Sequence, residues 1–339
     1  MRRLFLALGL CILPLAAIAQ TEAQLSVARV VDQHILPGYA ALERETGALA
    51  ALAQEDCRAL SPDLRVAYGT AFDAWIRVSH LAFGPAEEEN RLFSLSFWPD
   101  QRGMTPRSLL RLIEEEDPVI DSAEGFATVS IAARGFYALE FLLYDAQVMT
   151  AGSDAYRCAL VQAVTADIHR TAAQINAAWL GDFADLMRSA GQNERFRSDA
   201  EALRALLGAL GHGLEYTADL RLGRPLGTFD APRPLRAEAR RSGRSLRHVQ
   251  LALQSLAEMA ALITPARDGI GARIMPQFNA AIQRAQALDD PVFAGVSEPQ
   301  GRLRIEDLQR RVRGADAAVQ AVLAPALGVA AGFNAMDGD

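Results

Sequence analysis

Apolar residues recur along this chain at three- and four-residue steps, most clearly in "SPDLRVAYGTAFDAWIRVSHLAFG". Leu64, Tyr68, Ala71, Trp75, Val78 and Ala82 form one stripe, as on a helix that buries a single face. Ser61 offers an N-cap hydroxyl, Pro62 suits the first helical position, and Asp63 puts negative charge near the positive helix end. Gly84-Pro85 stops the run. The same grammar predicts helices near 22–56, 61–83, 106–116, 121–146, 153–179, 199–221, 242–264, 266–288 and 302–327, the first kinked at Pro37-Gly38. Alternating β-branched runs and Asn-Gly hairpin signals are absent, so the expected fold class is all-α.

Two irregular stretches interrupt the helices, "GPAEEENRLFSLSFWPDQRGMTP" and "RLGRPLGTFDAPRPLRAEARRSG". Loops of this length inside helical domains are uncommon and are often functional. The weakest helical connection, "GDFADLMRSAGQNERFRSD", lies near mid-chain. About 320 mature residues exceed what one core usually holds, so two helical domains are expected, 20–190 and 191–339.

Residues 1–19 read as a cleaved export signal: Arg2 and Arg3, the apolar run "LFLALGLCILPLAA", then "AIA" before Gln20. Leu10 precedes Cys11 where a lipobox needs a small residue, which argues against a lipoprotein. No later segment is long and apolar enough to span a bilayer, so no transmembrane segment is expected after cleavage. Export to an oxidising periplasm makes a Cys57–Cys158 disulfide the expected state of the two remaining cysteines. The precursor carries 34 basic and 41 acidic residues, a net −7, and loss of Arg2 and Arg3 leaves −9. That balance disfavours nucleic acid or an anionic membrane as partner.

Candidate chemistry centres on Glu140, the lone carboxylate inside "FYALEFLLY". An ionised carboxylate in such a core costs several kcal/mol unless it is paired, hydrogen-bonded or bound to a cation. Tyr137 and Tyr144 share its helical face at i−3 and i+4, and two phenols could satisfy its lone pairs. His34 precedes the Pro37 kink and can point between helices, so Glu140 and His34 are the candidate metal ligands. The loop residues Trp98 and Asp100, with Arg241 and Ser242 of "EARRSGRS", are candidate walls of a ligand site. Arg241 and Arg244 beside a helix start also suggest an anion-binding corner, with Ser242 or Ser245 as N-cap. His80, His169 and His248 lack acidic or histidine partners at ligand spacing and are assigned structural roles. His212 and Glu215 form one i, i+3 pair, fewer ligands than a di-iron bundle requires. His-Glu-x-x-His, Gly-x-Ser-x-Gly and P-loop patterns are all absent.

Taken together and in order, "HILPGYAAL", "AWIRVSHLAFGP", "FWPD", "RGFYALEFLL", "EARRSGRSLRHV", "PQGRLRIEDLQ" and "LGVAAGFNAMDGD" resemble the imelysin family, the insulin-cleaving metallopeptidase-like proteins. The resemblance implies two four-helix-bundle-like domains with a site at their interface, and a link to iron uptake or iron-regulated expression. The family's Gly-x-His-x-x-Glu reads here as Gly135, Tyr137 and Glu140, with tyrosine in place of histidine. Imidazole is a good ligand for zinc or iron(II), whereas a phenol binds well as phenolate to iron(III). The expected function is therefore a periplasmic binding or accessory protein of iron or metal acquisition, with an iron or other metal ion, or a small ligand, as its guest and iron-transport components as candidate partners. A metallopeptidase and a non-metal ligand-binding protein are the alternatives.

Overall fold

The computed structural model describes residues 21–265 and 269–329, so the signal assigned to 1–19 lies outside the described residues. Ten principal helices carry the fold: α1 (Glu22–Val30), α2 (Leu36–Glu55), α3 (Pro62–Val78), α4 (Met104–Glu115), α5 (Gly135–Tyr144), α6 (Asp154–Ala178), α7 (Asp199–Glu215), α8 (Ser245–Ile263), α9 (Ile270–Gln286) and α10 (Pro299–Ala318). The one extended pairing among the described residues is a single bridge between Thr228 and Ala231. The all-α expectation holds.

In the first bundle α2 packs against α3 and α6, and α5 against α6. Tyr39, Leu42, Thr46, Leu49 and Ala53 give α2 a continuous buried seam at helical spacing. The second bundle joins α7, α8, α9 and α10. Helix α8 also packs against α3 and α1, and it is buried nearly all round, as a helix shared by two bundles must be. Helix α1 lies on α7 and α8, whereas its continuation α2 belongs to the first bundle. The chain therefore crosses the junction in its first 35 residues.

The irregularity expected at Pro37-Gly38 falls one turn earlier, as a π-turn over Val31–Ile35. Pro37 has no N–H for the carbonyl of Gln33, and its ring crowds that carbonyl; a widened turn absorbs both effects. Helix α3 begins as expected, with Ser61 Oγ accepting the Leu64 N–H, but ends at Val78. The single helix expected over 121–146 is instead three pieces: Ala123–Ala127, a 3₁₀ turn at Ile131–Ala133, and α5. Ser122 and Ser130 hydroxyls cap the first two and draw the backbone out of a continuous helix. Cys57, just past α2, is bonded to Cys158 in the first turns of α6, with 5.1 Å between their Cα atoms. Among the described residues no helix is long and apolar enough to cross a membrane.

Candidate functional site

Helix α5 starts at Gly135, whose φ of +75° is in the left-handed region. A Cβ there would lie 2.3 Å from Ser94 O and 2.4 Å from Leu95 O, so only glycine lets the short helix Arg91–Leu95 abut the start of α5. That contact fixes the direction in which Tyr137 and Glu140 project. Phe136 stacks on Phe72 at 4.7 Å, and Phe72 meets the Tyr137 ring edge-on at 5.3 Å.

Opposite α5 runs the segment leading into α8. Its turn is held by Ala239 at φ +46°, a conformation costing about 1 kcal/mol or more for a residue with a Cβ, and closed by the Arg244 N–H on Ala239 O at 3.0 Å. The strained turn sends two groups towards α5. Ser242 donates its N–H (2.9 Å) and hydroxyl (2.8 Å) to Glu140 Oε1. Glu238 turns inward and accepts the Tyr137 hydroxyl and Arg221 Nε–H (2.8 Å), with His248 Nδ1 3.2 Å away.

The two carboxylates end in opposite electrostatic states. Burial raises the pKa of Glu140, against the Ser242 donors and the nearby Arg241 and Arg240. Burial also opposes ionisation of Glu238, but Arg221 and His248 outweigh it and pull that pKa down to about 2. Burial and the Glu238 charge push the Tyr137 phenol well above its ordinary value, so it is a donor and not a phenolate.

Glu140 lines a cavity of about 300 Å³ together with Trp98, Asp100, Tyr137, Phe141 and Arg241. Trp98 stacks on Tyr137 at 6.2 Å and separates this cavity from a second, more apolar one lined by His80, His212 and Tyr216. Asp100 accepts the N–H groups of Met104 (2.9 Å) and Thr105 (2.8 Å) at the start of α4. Its pKa is lowered because those bonds outweigh its partial burial. Arg241 is held 2.8 Å from Asp145 and lies over the Phe141 ring at 3.6 Å. Helix α8 starts at Ser245 without a side-chain cap, so neither Ser242 nor Ser245 is the N-cap. The expected anion corner is filled from within, Arg241 by Asp145 and Arg244 by Asp73.

Of the candidate residues, Tyr137, Glu140, Trp98, Asp100 and Arg241 converge on the cavity, and Ser242 supports Glu140 from behind. His34 does not join them. Its Nε2 faces His80 Nε2 at 3.1 Å, and burial, with Arg77, lowers its pKa to about 4. His80 thus has a histidine partner 46 residues away, and His248 an acidic one, neither visible as local spacing. Tyr144 lies against Arg65 (4.4 Å) and Tyr68 rather than bonding Glu140. Sequence reasoning missed Glu238 and Arg221, and placed His248 in a structural role without its acidic partner. The one signal for them was a charged stretch that must re-enter the core to reach α8.

A metal ion does not fit this donor set. Among the described residues no group of three or more His, Cys, Asp or Glu side chains converges. One Glu140 oxygen is taken by Ser242, the Tyr137 proton is committed to Glu238, and arginines flank the carboxylate.

The architecture defines a class, an all-α helical protein with a polar cavity lined by α5 and the segment leading into α8. The chain belongs to the imelysin family, whose model matches residues 35–319. An imelysin-like protein from Psychrobacter arcticum 273-4 superposes with a TM-score of 0.77 at 19% identity, covering 92% of this chain and 97% of that one. A protein from Parabacteroides distasonis ATCC 8503 described as an iron-regulated protein A precursor superposes with a TM-score of 0.73 at 16% identity, covering 90% and 96%. No curated protein matches the sequence significantly.

Proposed function

We propose that this is an exported, periplasmic binding protein that takes a small organic ligand in the cleft between its bundles, and that it is not a peptidase. The observation that carries this reading is the carboxylate of Glu140. Ser242 fixes one oxygen, while the other has no hydrogen-bond partner among the described residues and belongs to a group that lines the cavity. A buried acceptor held rigidly at a cavity wall is arranged to meet a donor on a guest. Hydrolysis through a metal-bound water needs about three protein ligands and an open position, which the residues around Glu140 do not supply. The Cys57–Cys158 bond supports an oxidising compartment. The likeness to the Parabacteroides protein described as iron-regulated supports an iron-regulated setting, in which this protein would act as a binding or accessory component beside iron-transport proteins and not chelate a bare ion through Glu140. The test is thermal denaturation of the mature protein across a panel of small organic acids, amines and sugars. We expect at least one to raise the melting temperature in the wild type and not in Glu140→Gln. A panel without any Glu140-dependent shift would sink the reading.

A further inference from the structure

Two arginines that line the cleft have no acidic partner among the described residues. Arg224, carried by the short helix Gly223–Leu226, lies 5.6 Å over the Trp98 ring and lines the cavity. Its Nε is buried without a hydrogen-bond partner, and no carboxylate pairs with it among the described residues. Arg236 lines the same cavity from the next turn of the loop, and its side chain has neither ion pair nor hydrogen bond among the described residues. The two lie close enough that, after burial, Arg236 is the main cause holding the Arg224 pKa below its ordinary value. The other charged groups that line the cavity, Glu140 apart, already have partners. Asp100 accepts backbone N–H groups, and Arg241 is taken by Asp145. Three functions remain available to a guest: two guanidinium forks and the second oxygen of Glu140.

We infer that the guest is a small multivalent organic anion that also carries a hydroxyl, its acid groups seated on Arg224 and Arg236 and its hydroxyl donating to Glu140. The inference rests on the cleft being the ligand site and specifies its chemistry. Guanidinium forks match carboxylate and phosphate oxygens, and the buried, unpartnered Nε of the half-buried Arg224 and the exposed Arg236 both have donors free for an anion. Trp98 and Phe141 supply apolar walls between the polar points, and about 300 Å³ suits a guest of metabolite size.

The experiment is isothermal titration of the mature protein with citrate, tricarballylate (citrate without its hydroxyl), glycerol 3-phosphate and putrescine, repeated on Arg224→Gln, Arg236→Gln and Glu140→Gln. Citrate or glycerol 3-phosphate should bind, and which of them does so identifies the acid group. Each arginine replacement should weaken binding about tenfold or more. If citrate is the ligand, tricarballylate should bind more weakly in the wild type, and the gap should close in Glu140→Gln. Anion binding indifferent to both arginine replacements would overturn the inference. Glu140-dependent binding of putrescine without anion binding would overturn it too, but leave the cleft as the ligand site. If no compound binds in a Glu140-dependent manner here or in the wider panel, both readings fall.

Discussion

Glu140 and Glu238 face each other's neighbourhoods across the same junction, each about as buried as the other, at 2% and 1% exposed. Glu238 is surrounded by Arg221, Tyr137 and His248 and is ionised to about pH 2. Glu140 has two donors on one oxygen, a raised pKa and a cavity beside it. A buried charge that is fully matched holds the scaffold, whereas one matched on a single side is left for a guest. In this chain the tyrosine of the family's Gly-x-His-x-x-Glu position belongs to the scaffold half of that division, because its hydroxyl is spent on Glu238.

The largest effect should come from breaking the matched side. Replacing Glu238 with alanine leaves Arg221, whose side chain is 5% exposed, as an uncompensated buried charge. That should cost about 3–5 kcal/mol of stability in urea denaturation. The double replacement Arg221→Met, Glu238→Leu should recover most of the loss, since no charge is then stranded. Equal losses in the single and double variants would show that Glu238 matters for shape and not for charge.

Acid should separate the two carboxylates by sign. Glu238 has a folded pKa near 2, below the unfolded value of about 4.3, so its contribution is present above that value and is lost as the pH falls from about 4 to 2. Glu140 has a raised folded pKa, so its contribution is fullest in acid and declines as the pH rises from about 4.3 through that raised value. Stability curves of Glu238→Gln and Glu140→Gln against pH should therefore differ from the wild type over separate windows. Coincident windows would contradict the assignment.

How much of this could be read from the residues alone depended on where each partner lies. The Ser61-Pro62 start, the apolar stripe of α3 and the Cys57–Cys158 bond follow from local grammar or from cysteine parity in a chain read as exported. Glu140 was visible because a charge inside an apolar run is anomalous wherever it occurs. Glu238 was not, because in "AEARRSG" a charge is ordinary, and its burial depends on the Ala239 turn and on Arg221, 17 residues away. The contact of His34 with His80 was hidden for the same reason, as it spans 46 residues and a π-turn. The broken 121–146 segment failed locally: serine capping and the Gly135 contact with Ser94 overrode an apolar run that suited a helix.

A smaller effect probes the bond that joins the two halves. Tyr137→Phe keeps the ring between Phe72 and Trp98 but removes the donor to Glu238, and should cost about 1–2 kcal/mol. It should also shift the acid limb of the stability curve to higher pH, because Glu238 then has one donor fewer. A phenylalanine variant with an unchanged acid limb would mean that Arg221 and His248 alone set the ionisation of Glu238.

The smallest change in stability should come from the residue with the largest functional role. Glu140→Gln keeps a carbonyl oxygen where Ser242 donates its N–H and hydroxyl, so both bonds can persist. It also relieves the burial of a charge that the surrounding groups only partly compensate. Stability at neutral pH should therefore stay within about 0.5 kcal/mol of the wild type or rise, while ligand-induced stabilisation disappears. A site built for binding trades stability in this way, since the unmatched oxygen that costs free energy in the empty cleft is the one a guest repays. If Glu140→Gln instead destabilises the protein as strongly as Glu238→Ala, the two carboxylates are alike, and the cleft has lost the asymmetry that marks it as a site.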